Sequence, residues 1–197
     1  MTRRRALLAG ALVSTLAFLA LAWVADERAL FVADRSMQTL VQARRSPEFE
    51  RPVQLLTRLG SGWVTIPISI VAVALIARRH RELGVFVAAV TAGGHLLSPV
   101  AKWLVARPRP KLSAYGFPSG HTLAAVVVFG ALMYVANALI ERPAPRWLAI
   151  VVCGVIIVGV AVSRLYLNSH WTTDVAGGLT GGLAVLLFGL VWLERKS

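Results

Sequence analysis

Residues 121–140 read HTLAAVVVFGALMYVANALI, a stretch with no Asp, Glu, Lys or Arg, and this stretch decides the fold. A helix needs roughly 20 apolar residues to cross the hydrocarbon core of a bilayer, which is about 30 Å thick. Hydrophobic residues make up 57% of the 197-residue chain and charged residues only 15%, whereas soluble domains are roughly 45–50% apolar and about 25% charged. The stretch therefore predicts a transmembrane helix.

Five further apolar runs flank this stretch. They are Ala6–Ala25, Gly62–Ala77, Leu83–Ala106, Trp147–Ser163 and Val175–Leu193. The stretch quoted above, His121–Ile140, is the fourth of the six runs. Each must be helical, because hydrocarbon cannot satisfy free backbone groups and no alternating barrel pattern is visible. Small residues such as Gly178 and Gly182 would let the helices pack closely. We predict an all-α integral membrane protein, a six-helix bundle that forms one domain over residues 1–197.

The N-terminus allows two interpretations. Arg3, Arg4 and Arg5 followed by an apolar stretch are typical of a secretory signal peptide, but this apolar stretch is about 20 residues long and a signal core is usually about 7–15. No clear small-x-small cleavage site precedes Asp26, so we predict an uncleaved first helix. Six spans place both termini on one side, and the basic turn at residues 78–81 with the N-terminal arginines favours the cytoplasm for that side.

The segment between the first and second spans, Asp26–Gly60, has apolar residues at helical spacing. They are Leu30, Ala33, Met37, Leu40 and Val41, and then Phe49, Val53, Leu56 and Leu59. Two short amphipathic helices at the outer membrane interface explain this pattern. Packing on the bundle is the role that we expect for them, and guiding a lipid toward a site is the alternative.

The chain has 21 Lys and Arg against 9 Asp and Glu, for a formal net charge of +12. These basic residues lie between apolar runs instead of forming one stripe, so the pattern favours a membrane partner over nucleic acid. Two loops on the outer side, residues 107–120 and 164–174, together with the adjacent helix ends collect most of the remaining polar chemistry. Their candidate residues are Lys102, Arg107, Arg109, Lys111, Ser119, His121, Arg164, His170 and Asp174.

The charge balance of these loops indicates an anionic ligand. Five cations facing one carboxylate, Asp174, would repel one another unless an anion lay among them. Guanidinium groups match phosphate oxygens with paired hydrogen bonds, and lysine adds a point charge. A divalent metal would require several carboxylates or a histidine cluster, and we expect neither a metal nor another cofactor. For Arg107 and Lys111 we expect solvated contacts with lipid headgroups.

Two local patterns suggest phosphate chemistry. The residues Pro-Ser-Gly-His at 118–121 open the fourth predicted span, where Ser119 can cap the helix and Gly120 lets a ligand approach the backbone. His170 and Asp174 are four residues apart, so a helical turn places them on one face and the carboxylate can orient the imidazole as a nucleophile. An ordinary capped helix start is the alternative for each pattern.

Together the three clusters resemble the tripartite signature of the type 2 phosphatidic acid phosphatase family, whose superfamily includes lipid-pyrophosphate phosphatases, glucose-6-phosphatases and vanadium haloperoxidases. The signature region covers residues 102–174. Its three elements are K-x6-R-P from Lys102 to Arg109-Pro110, P-S-G-H at Pro118-Ser119-Gly120-His121, and S-R-x5-H-x3-D from Ser163-Arg164 through His170 to Asp174.

This resemblance implies a mechanism. His170, oriented by Asp174, would attack phosphorus and form a phosphohistidine, while His121 would protonate the leaving group and then activate water. The phosphoryl oxygens would be held by Lys102, Arg109, Ser119, Gly120 and Arg164. The resemblance further implies that no metal is needed and that vanadate inhibits.

The substrate implied by the resemblance is a phosphorylated lipid, such as undecaprenyl pyrophosphate, phosphatidylglycerol phosphate or phosphatidic acid. The small size and the arginines that end the spans favour a bacterial inner membrane, with the site on the periplasmic or extracellular side. Two other functions stay open: a phosphotransferase of the same superfamily, and a non-enzymatic membrane protein that binds a lipid or an anion. The sequence does not indicate an oligomeric state.

Overall fold

The computed structural model describes residues 2–26, 31–111 and 115–195, and within these ranges the chain forms helices and no strand. The helices are α1 (Arg3–Asp26), α2 (Phe31–Ala43), α3 (Pro47–Arg58), α4 (Gly62–Ala77), α5 (Arg81–Val105), α6 (Gly120–Leu139), α7 (Pro143–Tyr166) and α8 (Thr172–Leu193). Six stretches are long and apolar enough to cross a membrane, with α3 and α4 forming one of them. The predicted six-span helical bundle is confirmed.

The limits of the spans follow the apolar runs closely. Helix α4 covers the predicted Gly62–Ala77 and keeps Pro67 inside it. Helices α7 and α8 begin at Pro143 and Thr172, about one turn before the predicted starts, because the residues before each apolar run, including Arg146 and Asp174, are helical as well. Hydropathy locates the buried part of each helix but not its polar cap.

Helix α6 lies at the centre of the bundle. Every residue from Thr122 to Ala131 is buried, and the helix packs against α5, α7 and α8. Leu123 and Val127 of α6 contribute to a core that also contains Phe86 of α5 and Leu186 of α8. The first residues of α6 are therefore held from several sides, which matters because they belong to the signature region.

Helices α6 and α8 approach closely because glycines line the contact. A Cβ atom on Gly178 would lie 2.7 Å from the Ser119 carbonyl oxygen, and one on Gly182 would lie 2.7 Å from Val126 Cβ. Helix α1 packs along the neighbouring face of α8, where a Cβ on Gly181 would meet the Phe18 ring. The packing role expected for the small residues is what the structure shows at these positions.

Helix α2 packs with the opposite face from the one that its apolar pattern suggests. The buried residues of α2 are Asp34 and Gln38, whereas Met37 and Leu40 are exposed; Leu30 lies outside the described residues. The surface that α2 covers is polar, since Gln38 donates hydrogen bonds to the Leu165 carbonyl (3.2 Å) and to Asn168 Oδ1 (2.7 Å). The apolar side of α2 faces outward, where a bilayer would meet it.

Helix α3 packs against α7 through Leu56, whereas Phe49 of the same predicted apolar face is exposed. A Cβ atom on Gly159 of α7 would lie 2.8 Å from Leu56 Cδ2 of α3, so the two helices are in close contact. Only residues 59–61 separate α3 from α4, and α3 thus leads directly into the second span.

The helix order fixes which ends of the bundle coincide. Arg3 forms a 2.9 Å ion pair with Glu194, so the N-terminal and C-terminal helix ends lie together. Because consecutive spans alternate in direction, the α4–α5 turn at residues 78–81 belongs to that same end. The C-terminal ends of α5 and α7 and the first turns of α6 and α8 belong to the opposite end. That opposite end holds the signature residues.

The close approach of α8 to α6 makes a prediction about stability. Gly178→Ala should lower the melting temperature of the detergent-solubilised protein, because the added carbon meets a backbone oxygen that cannot move alone, and overpacking of this kind costs about 1–3 kcal/mol. Gly154→Ala is the matched control, since no atom lies within 4 Å of its added Cβ. Equal melting temperatures for both variants would contradict the packing described here.

Candidate active site

Four helix ends bring the signature residues to one end of the bundle. The last turn of α5 carries Lys102, the last turn of α7 carries Arg164, and His170 lies directly before α8. The Ser119 backbone N–H donates a 2.9 Å hydrogen bond to the Asp174 carbonyl oxygen, which ties the start of α6 to the first turn of α8. Three elements that are far apart in sequence therefore form one site.

His170 and Asp174 form a buried pair. The His170 Nδ1 atom lies 3.2 Å from Asp174 Oδ2, and the Trp171 backbone N–H donates to the same oxygen at 3.0 Å. The exposed fractions are 2% for His170 and 0% for Asp174. With Nδ1–H donating to the carboxylate, Nε2 is the nitrogen whose lone pair is available for attack.

The surroundings of His170 favour its neutral form. Burial lowers the pKa of the imidazole below its ordinary value, and the positive charges of Arg164 and Lys102 lower it as well, whereas the hydrogen bond and the charge of Asp174 act in the opposite direction. A lowered pKa means that the ring is unprotonated at neutral pH. An unprotonated imidazole is the form that a nucleophile requires.

Three cations of the signature lie together without a carboxylate partner. Within the described parts of the chain, no Asp or Glu oxygen lies within 4.0 Å of a nitrogen of Lys102, Arg109 or Arg164. Lys102 Nζ donates instead to the carbonyl oxygens of Pro118 (2.6 Å) and Tyr115 (3.2 Å), and Arg109 Nε donates to the Tyr115 carbonyl (3.3 Å). These neighbours supply dipoles but no neutralising charge.

Arg164 is the most confined of the three cations. Only 7% of its surface is exposed, and one guanidinium nitrogen donates a 2.8 Å hydrogen bond to Thr57 Oγ1 of α3. Its Nε is buried and finds no acceptor among the described residues. A buried guanidinium with an unsatisfied N–H is costly unless a ligand accepts that hydrogen bond. Arg164 therefore points to an anionic ligand.

At the start of α6, Gly120 allows a close approach to α5, but Ser119 does not form the predicted cap. Ser119 occupies the N-cap position, yet its side chain makes no capping hydrogen bond, and its buried Oγ accepts from Thr122 Oγ1 at 2.9 Å. A Cβ atom on Gly120 would lie 2.9 Å from Ser98 Oγ and 3.7 Å from Lys102 Cε. The glycine thus lets the first turn of α6 lie against the lysine-bearing end of α5.

His121 follows directly in α6 and faces the same group of charges. It lies near enough to interact electrostatically with His170, Lys102, Arg109 and Arg164. The two remaining histidines are elsewhere. His80 precedes α5 at the opposite end of the bundle, and the imidazole of His95 contacts Thr65 Oγ1 and the Thr91 carbonyl oxygen.

The expectation for Arg107 is wrong. This residue is buried, with 3% of its surface exposed, and it forms ion pairs with Asp34 Oδ2 (2.7 Å) and Asp174 Oδ1 (3.2 Å). It also lies 5.9 Å from the centre of the Trp171 ring. A guanidinium between two carboxylates has no need of a lipid headgroup. Lys111, in contrast, is exposed, and its contact with lipid headgroups stays a prediction.

Asp34 corrects the count of carboxylates at this end of the bundle, which the loop sequences alone put at one. It accepts hydrogen bonds from the Thr173 backbone N–H (2.9 Å) and the Thr173 hydroxyl (2.5 Å). A carboxylate on an otherwise exposed amphipathic segment was the available signal for this residue. Thr57, the partner of Arg164, carried no such signal. Within the described residues, no group of three His, Cys, Asp or Glu could hold a metal ion.

The sequence profile of the PAP2 superfamily matches residues 82–197 of this chain, a range that contains all three signature elements. The chain belongs to the PAP2 superfamily. The resemblance drawn from the three clusters is therefore confirmed. Asp34 and α2 lie outside the matched range.

Individual relatives extend the likeness over most of the chain. Phosphatidylglycerophosphatase B of Bacillus subtilis is 32% identical over 182 residues, which cover 88% of this chain and 89% of the relative. An undecaprenyl-diphosphatase of Sulfolobus acidocaldarius is 31% identical over 135 residues, covering 62% and 60%. The crystal structure of a transmembrane PAP2-type phosphatidylglycerolphosphate phosphatase from Bacillus subtilis superposes with a TM-score of 0.84 at 26% identity, covering 95% and 97%.

Proposed function

We propose that this membrane protein is a metal-independent lipid phosphatase that hydrolyses a lipid phosphate or diphosphate monoester through a phosphohistidine on His170. The observation that carries the proposal is the group Lys102, Arg109 and Arg164, three cations without a carboxylate partner, beside the neutral imidazole of His170. Membership of the PAP2 superfamily, whose relatives above are named as phosphatases, supports a lipid phosphatase.

In the first step, His170 Nε2 attacks phosphorus and the bond from phosphorus to the leaving oxygen breaks. His121 donates a proton to that oxygen. In the second step, water attacks the phosphohistidine, His121 accepts the proton of the water, and the N–P bond breaks to release phosphate. Asp174 stabilises the positive charge that develops on the His170 ring in the first step.

The cations take the part that a metal has in other phosphoryl-transfer enzymes. Lys102, Arg109 and Arg164 would hold the phosphoryl oxygens and stabilise the charge that builds up in the transition state, and the N–H of Gly120 and the hydroxyl of Ser119 would add donors. Arg164 Nε, buried and without an acceptor among the described residues, is suited to one of these oxygens. Such preorganised donors each contribute roughly 10²–10³ in rate.

Replacing the proposed nucleophile tests this mechanism. His170→Ala should lower kcat/KM for release of phosphate from phosphatidylglycerol phosphate in detergent micelles by at least about 10⁴-fold, because loss of a nucleophile typically costs this much or more. His80→Ala is the matched control and should behave as the wild type, since His80 is exposed at the opposite end of the bundle. A brief reaction with ³²P-labelled lipid should leave an acid-labile label on the wild type and none on His170→Ala.

Activity of His170→Ala near the wild-type level would refute the nucleophile. The metal-independent part has its own check in the same assay, which should proceed unchanged in excess EDTA. Loss of turnover in EDTA and its return on addition of magnesium would refute that part alone.

A cavity beside the site bears on the substrate. Its volume is about 560 Å³, and it is lined by Phe31, Arg35, Arg107, Pro108, Arg109, Pro110 and Trp171. Arg109 belongs to both this cavity and the proposed phosphate site, so a ligand can extend from one to the other. Because Arg107 is neutralised by carboxylates, Arg35 and Arg109 are the cations that the cavity offers to a ligand.

We propose that this cavity binds a second phosphate group of the substrate. Phosphatidylglycerol phosphate and undecaprenyl diphosphate each carry two phosphates, and the relatives above are named for their hydrolysis. Phosphatidic acid carries one. The aromatic rings of Phe31 and Trp171, whose centres lie 5.3 Å apart, give the same cavity an apolar wall of the kind common at a membrane interface.

A variant of Arg35 should distinguish lipids with two phosphates from a lipid with one phosphate. Arg35→Ala should raise KM about tenfold for phosphatidylglycerol phosphate, because a charge-assisted hydrogen bond is lost, and should leave KM for phosphatidic acid unchanged. Arg44→Ala, which removes another exposed arginine just beyond α2, is the control. An equal rise of KM for both lipids would contradict the second phosphate site.

The sidedness of the site is also a proposal. The site lies opposite the bundle end at which α1 begins, α8 ends and the short basic turn at residues 78–81 lies. Short loops rich in Lys and Arg stay in the cytoplasm. We therefore place the termini in the cytoplasm and the site on the periplasmic or extracellular side of a bacterial inner membrane.

Cysteine labelling tests this orientation. In a Cys153→Ala background, Lys111→Cys should react with a membrane-impermeant maleimide in spheroplasts, whereas Arg79→Cys should react only after permeabilisation. Both residues are exposed and lie at opposite ends of the bundle. The reverse labelling pattern would place the site in the cytoplasm.

A further inference from the structure

We infer that Asp34 and Arg107 are positioning residues of this reaction, which hold Asp174, and through it the His170 ring, in the orientation for attack. The inference rests on the function proposed above. Asp34 precedes the range that the PAP2 profile matches, and Arg107 is not one of the signature residues.

The contacts form an unbroken chain from α2 to the nucleophile. Asp34 Oδ2 accepts from one terminal nitrogen of Arg107 at 2.7 Å, and the other terminal nitrogen donates to Asp174 Oδ1 at 3.2 Å. The second oxygen of Asp174 contacts His170 Nδ1 at 3.2 Å. Arg107 thus fixes one oxygen of the carboxylate whose other oxygen orients the imidazole.

Asp34 reinforces this arrangement from a second direction. Its two oxygens accept from the backbone N–H and the hydroxyl of Thr173, at 2.9 Å and 2.5 Å. Arg107 also donates to the Thr173 hydroxyl. Thr173 lies in the first turn of α8, where free N–H groups favour a negative charge. A carboxylate from another helix therefore fixes the turn that carries Asp174.

The three charged residues of this series of contacts are buried, unlike the partners of a surface ion pair. Asp34 is 2% exposed, Arg107 3% and Asp174 0%. Buried ion pairs contribute little net stability, because removing charges from water costs about as much as their attraction returns. Maintaining three buried charges is better explained by the fixed geometry that they impose on Asp174.

The charges also balance in a way that serves the nucleophile. Arg107 alone would cancel the negative charge of Asp174, which has to stabilise the positive charge developing on His170 during attack. Asp34 cancels Arg107 instead, so the three groups together keep one negative charge beside the imidazole. Without Asp34, the ring would face an excess of positive charge.

Other charged groups face His170 from the surrounding helices. They are Asp174 on α8, Arg164 on α7, Lys102 on α5 and His121 on α6. Asp34 and Arg107 reach the ring through Asp174. Changes at these two residues should therefore shift the pH dependence of the reaction in opposite directions, while the other groups stay as they are.

The experiment measures kcat and the acid limb of the kcat/KM–pH profile, with phosphatidylglycerol phosphate as the substrate throughout so that its own ionisation is constant. Asp34→Asn leaves Arg107 uncompensated, so the acid limb should move to lower pH and kcat should fall roughly 10–100-fold, the loss that is typical when a residue orienting a metal-binding histidine is removed. Arg107→Gln leaves an extra negative charge, so the acid limb should move to higher pH.

The double variant Asp34→Asn/Arg107→Gln keeps the net charge of the wild type and leaves neither buried partner of this pair charged, which favours folding. Its acid limb should lie near that of the wild type, while kcat stays reduced because Asp174 is no longer held. Wild-type kcat in this variant, or shifts of the single variants in the same direction, would overturn the inference.

Gln38→Ala is the matched control for the attachment of α2. Gln38 is the other buried residue of α2, and its contacts with Leu165 and Asn168 do not lead to Asp174. It should leave the acid limb unchanged. A shift equal to that of Asp34→Asn would show that only the docking of α2 matters and would overturn the inference.

His170→Ala, measured in parallel, separates the two proposals. If it remains active, the proposed mechanism itself fails. If it is inactive while Asp34→Asn behaves as the wild type, only the positioning role of Asp34 fails.

Discussion

The repulsion among Lys102, Arg109 and Arg164 is the constraint on which the site depends. These cations lie together with no carboxylate within ion-pair distance in the described ranges, and Arg164 is nearly buried. Like charges in a medium of reduced polarity repel strongly. Carbonyl oxygens and the Thr57 hydroxyl orient them without neutralising them. The arrangement leaves the neutralising charge to a ligand, and a phosphoryl group has the oxygens and the charge to supply it.

The membrane fold supplies the rigidity that such a site requires. Spans that alternate in direction bring the ends of α5, α6, α7 and α8 together, and the buried centre of α6 fixes the distance between them. Gly178 lets α8 approach the backbone near Ser119, and a hydrogen bond from Ser119 to Asp174 joins the two helices at the site. The packing in the middle of the bundle thus determines where the side chains at the helix ends lie.

The sequence allowed the spans and the signature residues to be predicted, because both depend on local patterns. A run of apolar residues defines a helix wherever its neighbours lie, and the alternation of spans then decides which ends coincide. The face of α2 could not be predicted in this way. In a soluble protein the apolar side of a helix packs inward, but here Met37 and Leu40 face outward and Asp34 faces the bundle.

The partners of Arg107 could not be predicted from a local pattern either. Its position between an apolar run and a loop is typical of a residue at the lipid headgroups, and nothing nearby in sequence announces a partner. Its carboxylates, Asp34 and Asp174, lie 73 and 67 residues away. Pairing across such separations is decided by tertiary packing, which a single sequence does not display. The cap suggested for Ser119 is absent for a local reason instead, because Thr122, three residues later, donates a hydrogen bond to the Ser119 hydroxyl.

A site that binds phosphate with cations alone has a conflict to resolve. Positive charges attract the substrate, but Lys102 and Arg164 also lower the pKa of His170 and so weaken it as a nucleophile. Asp174 opposes this effect only as far as its own charge is not cancelled by Arg107. Asp34, which lies outside the residues that the PAP2 profile matches, supplies the compensating carboxylate. On the proposed mechanism, the signature residues would hold the phosphate and helix α2 would preserve the basicity of the group that attacks it, so α2 would be part of the catalytic apparatus.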